Sequence, residues 1–171
     1  LGHRLVRDDR VSTHLGLVAR AFGADGMYLV GGELHIKEKI DDISKRWGGR
    51  FEVKLKDGWR KIIREWRAKG GLIVHLTMYG IAVDEVVDKI RGSNKDLLVL
   101  MGAEKVSKYI YQMSDFNVAI GHQPHSEIAA LAVFLDRLFL SEELKRIFTP
   151  SKIRIIPTAR GKRVEMLNVK D

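Results

Sequence analysis

A chain of 171 residues, 45% of them apolar, has the length of about one domain and enough apolar side chains for a substantial core, which excludes disordered, collagen-like and purely coiled-coil classes. Its 30 Lys and Arg against 22 Asp and Glu leave a net charge of +8, favouring a polyanionic partner without naming it. There is no cysteine, hence no disulfide, thiolate metal site or thiol nucleophile, and no apolar run reaches ~18 residues free of charge; a cytoplasmic setting without a membrane span is expected.

The chain begins at Leu1 rather than Met, so residues are expected to precede it, and no signal peptide is apparent. Periodicity predicts a helix over Thr13 to Phe22 closed by Gly23, a strand over Met27 to Val30, and a helix over Leu34 to Trp47 closed by Gly48 and Gly49. A strand over Phe51 to Leu55 follows. The helix Trp59 to Lys69 places Trp59, Ile62, Ile63 and Trp66 on one stripe and leaves Arg60, Lys61, Arg64 and Arg67 toward solvent. Next come a strand over Leu72 to Leu76, a helix over Val83 to Ile90, and strands over Asp96 to Met101 and Asn117 to Ile120. Helix Ser126 to Phe139 contains an unbroken apolar run, Ile128 to Leu135, which must be covered on most sides; burial against a second subunit is the preferred reading, with an ordinary central helix of the monomer as the alternative. A last strand spans Lys152 to Ile156. This alternation predicts one α/β domain over residues 1–171 with a mainly parallel sheet and helices on both faces.

Charge is segregated: residues 50–69 carry eight basic and three acidic side chains, residues 152–171 six and two, and residues 84–143 six and ten. Two basic segments converging in space would make a surface that tracks phosphates.

No Gly-x-Gly-x-x-Gly follows a strand, and P-loop, Gly-x-Ser-x-Gly and His-Glu-x-x-His motifs are absent. His122 and His125 flank a proline and have no third ligand at helical spacing, so no metal is expected. What does stand out is that three successive strands end in polar turns containing glycine: Leu76 to Gly80, Gly102 to Val106 and Ile120 to Glu127. In open α/β sheets ligands bind beyond the carboxyl ends of the strands, and here the start of a helix at Ser126 adds free N–H groups.

These segments, His-Leu-Thr-Met-Tyr-Gly at 75–80, Gly-Ala-Glu-Lys-Val at 102–106 and Gln-Pro-His-Ser-Glu at 123–127, resemble the archaeal tRNA cytidine-56 ribose 2′-O-methyltransferases of the SPOUT superfamily. The resemblance runs from Leu-Gly-His-Arg at 1–4 to Arg-Gly-Lys-Arg at 160–163. It implies a C-terminal trefoil knot, a homodimer, S-adenosylmethionine as cofactor and tRNA as substrate, with residues 141–171 as a possible family-specific extension. It implies cofactor contacts at Leu76, at Gly102, Ala103, Glu104, Lys105 and Val106, and at Ile120, Gly121, His122, Gln123, Pro124, His125, Ser126 and Glu127. The family commonly has Gly-Asn-Gln where this chain has Gly121-His122-Gln123. The superfamily's first motif, Asn then Gly then Arg, is matched by His14, Gly16 and Arg20, which makes Arg20 the implied catalytic residue, acting in a site shared between subunits. The superfamily's later Ser-Leu-Asn signature is not reproduced, because Ser126 is followed by Glu127 and Ile128.

A guanidinium is protonated at any working pH, so Arg20 is expected to orient a substrate phosphate and the nucleophile rather than to act as a base. Arg7, Arg10, Arg60, Lys61, Arg64, Arg160, Lys162 and Arg163 are the expected RNA contacts. The alternative is an α/β module that binds RNA without catalysis.

Overall fold

The computed structural model describes residues 8–102 and 106–167. Helix α1 (Asp8–Ala21) is followed by strand β1 (Gly26–Val30) and helix α2 (Leu34–Trp47). Helix α2 buries Ile36 and Ile40, four residues apart, and stops where Gly48 and Gly49 take φ angles of +80° and +87°, a conformation open to glycine. Strand β2 (Glu52–Lys56) pairs in parallel with β1, Gly26 opposite Glu52 through Val30 opposite Lys56.

Helix α3 (Trp59–Ala68) has the predicted faces: Ile62 and Ile63 are buried, Trp59 and Trp66 half-buried, and Arg60, Lys61, Arg64 and Arg67 exposed. Strand β3 (Leu72–Ala82) lies between β4 (Leu97–Leu100) and β5 (Phe116–Ala119), parallel to both, with α4 (Val83–Gly92) joining β3 to β4 and α5 (Lys108–Met113) preceding β5. Alternation along β3 assigns its two faces. Val74 and Leu76 join the larger core with α1, α2, α4 and α6 (Glu127–Phe139); Ile73 joins a smaller one with Ile63 of α3, Leu100 and Ile110 of α5. The α/β architecture with parallel strands and helices on both faces is therefore present. It is arranged as a two-stranded and a three-stranded sheet, whose β1 and β4 face one cleft of about 770 Å³ lined by apolar side chains from both layers.

Three expectations are corrected. The strand predicted to end at Leu76 runs on to Ala82, because residues 77–80 bulge out and Leu76 and Ile81 both pair with Val118. Helix α6 is covered largely by its own chain: Ala130, Leu131, Phe134, Leu135 and Leu138 are buried in the larger core, and only Ala129, Val133 and Arg137 form an exposed stripe. The two basic segments do not form one continuous surface: Arg50 lines a cavity with residues 146–149, but helix α3, with four of the first segment's basic residues, packs elsewhere. Beyond a 3₁₀ turn at Glu142–Lys145, the C-terminal segment forms an antiparallel hairpin, β6 (Ile153–Ile155) with β7 (Val164–Met166), which packs beside α2, while α3 packs on β3 in the other layer.

Candidate active site

The register of the three-stranded sheet gathers the predicted turns at one end. His75 lies opposite both Leu100 of β4 and Asn117 of β5, and Leu76 lies opposite Val118. Leu76, Gly102 and Ile120 therefore all sit within three residues of the same sheet edge, where the strands end. Leu76 is buried, Gly102, Val106, Ile120 and Glu127 are half-buried, and Gly121, His122, Gln123, Pro124, His125 and Ser126 are exposed. Ala103, Glu104 and Lys105 lie outside the described residues.

Polar contacts tie this edge together. His122 Nε2–H donates to the Gly80 carbonyl at 3.2 Å, linking the turn after β5 to the bulge of β3. His125 directs Nε2 at the Ile120 carbonyl (2.6 Å) and Nδ1 at the Ser126 carbonyl (3.1 Å); carbonyls only accept, so a neutral imidazole serves one of them at a time. Neither histidine points to a metal, and among the described residues no group of three His, Asp or Glu gathers to hold one. Ser126 Oγ accepts from the Ile128 N–H at 3.1 Å and caps α6. Gly121 has φ +69°, and a Cβ built there meets no atom within 4 Å, so the turn borders open space.

Sequence reasoning missed the layer below. His75 is 1% exposed, its ring stands edge-on to Tyr111 at 4.7 Å, and its Nδ1–H donates to Asn117 Oδ1 at 2.9 Å. The amide orientation is fixed by Asn117 Nδ2, which donates to the Tyr111 carbonyl, and the Tyr111 hydroxyl shares a hydrogen bond with Thr77 Oγ1 in the bulge at 3.1 Å. No residue spacing could signal this network, because its members come from β3, α5 and β5. Burial lowers the His75 pKa from its ordinary 6.5, so the folded ring stays neutral where the unfolded one takes a proton. The stability this contributes is complete above pH ~6.5 and is lost as pH falls toward the folded pKa. Thermal melts are expected to show that loss in the wild type and a flatter profile in His75→Gln. Unchanged profiles would remove His75 as the titrating group.

Arg20 is not at this edge. It lies one residue before the end of α1, near Gly23, and a Cβ on Gly23 would touch Phe139, the last residue of α6, and Glu143 just beyond it. Helix α6 starts at the turns and spans 13 residues, so Arg20 sits about 20 Å from the turns of its own protomer. Its guanidinium donates to the Gly48 carbonyl at 2.5 Å and lies over the Phe148 ring at 4.8 Å. It is 8% exposed, and burial pulls its pKa below the ordinary 12.5.

Of the expected RNA contacts, Arg10, Arg60, Lys61, Arg64, Arg160, Lys162 and Arg163 are exposed, and Arg7 lies outside the described residues. Arg60 stacks on Trp59 at 4.6 Å, and Trp59 meets Tyr109 of α5 at 5.7 Å, three residues beyond Val106. The start of α3 thus flanks the turn after β4. The hairpin arginines do not.

Residues 47–165 match the family model described as tRNA ribose 2′-O-methyltransferase, aTrm56. The chain is 52% identical over 171 residues to the tRNA (cytidine(56)-2′-O)-methyltransferase of Thermococcus kodakarensis, covering 98% of this chain and 94% of that protein. It is 51% identical over 168 residues to the enzyme of the same name from Methanopyrus kandleri, again covering 98% and 94%. Among solved structures, the A. aeolicus TrmH/SpoU tRNA modifying enzyme superposes with a TM-score of 0.62 at 18% identity, covering 83% of this chain and 76% of that one. The SpoU methyltransferase AviRb from Streptomyces viridochromogenes, in complex with AdoMet, gives 0.58 at 15%, covering 81% and 55%. The fold is shared with these methyltransferases, the family model spans residues 47–165, and the two archaeal enzymes match over 98% of the chain at about half identity: the chain belongs to the family of tRNA (cytidine-56-2′-O)-methyltransferases.

Proposed function

We propose that the chain transfers a methyl group from S-adenosylmethionine to the 2′-hydroxyl of a ribose in tRNA, that of cytidine 56. The observation that carries this reading is the convergence of the turns after β3, β4 and β5 on one edge, with Gly121 open to solvent beside a capped helix start. This edge fits the cofactor. Ile120 and Val106, both half-buried, supply apolar surface beside the buried Leu76, and the exposed backbone of residues 121–126 supplies carbonyl dipoles suited to a sulfonium. When bound there, the cofactor provides an electrophilic methyl group for in-line displacement, a reaction that requires no covalent enzyme intermediate.

The protein's contribution is positioning. The His122–Gly80 bond and the His75–Asn117–Tyr111–Thr77 network fix the turns relative to one another before any ligand arrives. Arg60 and Lys61, at the start of α3, flank this edge and meet phosphates, while the exposed ring of Tyr109 offers a face to an unstacked base. Arg20 lies at the far end of its own protomer, so its part in the reaction requires a second copy of the chain, whose turns it serves. The exposed Ala129 and Val133 stripe on α6 and the neighbouring α1 give that copy a surface to dock on. The C-terminal knot that the family resemblance implies is part of the same proposal. It is supported by the fold shared with the TrmH/SpoU tRNA modifying enzyme.

Incubation with unmodified tRNA and labelled cofactor, followed by mapping of the modified sugar, is expected to place the label on the ribose of cytidine 56. Saturable cofactor binding without transfer would overturn catalysis. No cofactor binding would leave an RNA-binding module instead.

A further inference from the structure

Beside Arg20, a second cavity of about 230 Å³ opens between the C-terminal ends of α1 and α2 and the segment 146–149. Three arginines line it. Arg20 is more than nine-tenths buried, and its Nε has no hydrogen-bond partner among the described residues. Its other contacts are a neutral carbonyl and an aromatic face, neither of which carries the balancing charge. Arg146 donates Nη1 to the Gly23 carbonyl at 2.8 Å and is otherwise exposed. Arg50, the last residue before β2 apart from Phe51, is exposed and makes no ion pair among the described residues. Asp25 is the only acidic residue in the lining, and it is exposed. Glu143, buried nearby with both carboxylate oxygens unpartnered, forms no ion pair within 4 Å with any of the three.

Three guanidinium groups around one opening repel each other, and a buried cation without a counter-charge is costly. Both penalties are relieved by one anion seated between them. Planar guanidinium forks suit the tetrahedral oxygens of a phosphate. We infer that this cavity is a binding site for one phosphodiester of the tRNA backbone, held by Arg50 and Arg146 together with Arg20. The inference rests on the reading of the chain as a tRNA-acting enzyme and adds two residues, Arg50 and Arg146, to its RNA contacts. It also explains why the basic side chains of residues 20, 50 and 146, far apart in sequence, are brought together at the end of the sheet opposite the cofactor turns.

The test is the salt dependence of tRNA binding, read by anisotropy, for the wild type, Arg50→Gln and Arg50→Lys. Arg50 is exposed and makes no side-chain hydrogen bond or ion pair among the described residues, so the variants are expected to melt as the wild type does. Arg50→Gln is expected to bind about tenfold more weakly at moderate salt and to lose about one unit of the log–log salt slope, with Arg50→Lys recovering most of that slope. Arg146→Gln should behave like Arg50→Gln. A wild-type slope and affinity in both Gln variants would overturn the site. Stabilisation by inorganic phosphate that disappears in Arg50→Gln, with tRNA binding unaltered, would mark a free-phosphate site and overturn the RNA assignment. Because binding is measured apart from methyl transfer, a wild type that binds tRNA with the predicted slope but transfers nothing would defeat the catalytic reading while leaving this one standing.

Discussion

Replacing Gly121 by leucine is expected to abolish saturable binding of S-adenosylmethionine while leaving a folded protein. The expectation comes from setting Gly121 against Gly80, two glycines of the same sheet edge. At Gly121 a Cβ would enter open space, and the only cost is the left-handed backbone at φ +69°, about 1–2 kcal/mol for a residue with a side chain. A domain of this size is stable by about 5–15 kcal/mol and tolerates that loss. The leucine side chain would, however, occupy the space in which the proposed cofactor lies. At Gly80 the reverse holds. A Cβ would land 2.5 Å from the carbonyl carbon and oxygen of Asn117, backbone that cannot rotate away, so Gly80→Ala must part β3 from β5. That variant is expected to lose the fold and the cofactor together. Calorimetry with the cofactor and denaturant midpoints on both variants provide the comparison. If Gly121→Leu lowers the midpoint as much as Gly80→Ala does, or binds the cofactor with unchanged affinity, the turn at 120–127 does not hold it.

The contrast between those glycines also marks what a sequence can disclose. Helix α3 was legible because Trp59, Ile62, Ile63 and Trp66 repeat at helical spacing and each reports burial independently of its neighbours. The ends of β4 and β5 were legible because each closes an apolar run with glycine and polar residues. Helix α5 was not predicted, because in six residues only Ile110 and Met113 face the smaller core, too few to show a period. The bulge at 77–80 escaped for another reason: its residues read as a turn, and only the pairing of β5 on both sides of it makes β3 continue. Strand β7 is exposed throughout and has no alternation to read. Convergence across the chain is a property of packing, so neither the His75 network nor the arginines at 20, 50 and 146 could be found by spacing. The same holds for the expected single basic surface. Charge counts along the chain were right, but the packing of α3 on β3 and of the hairpin beside α2 separates the basic face of α3 from the hairpin.

The position of Arg20 leads to the second large effect. Arg20→Ala is expected to depress methyl transfer by orders of magnitude while leaving cofactor affinity close to that of the wild type, because the expected role of this side chain is to orient a substrate phosphate and the nucleophile, not to hold the cofactor. Gly121→Leu should be equally inactive for the opposite reason. If one protomer's Arg20 serves its partner's turns, the two inactive variants complement each other. After mixing and reassociation, half of the dimers are hybrids, and each hybrid has one composite site with both Arg20 and Gly121 intact and one with neither. Activity is then expected to recover to about a quarter of the wild-type level, in proportion to the hybrid fraction. A cis arrangement gives no recovery, since every protomer still lacks one of the two elements it needs. Phe148→Leu, which removes the ring over the Arg20 guanidinium but not the Gly48 carbonyl, refines the result. A loosened guanidinium should lower kcat and raise KM for tRNA without altering cofactor affinity, whereas a merely structural role for Phe148 would appear as a lower melting temperature with kinetics unchanged in the folded fraction. Full activity in Arg20→Ala, or in a sedimenting monomer of the wild type, would refute the shared site, because in either case one chain would be doing alone what the geometry divides between two.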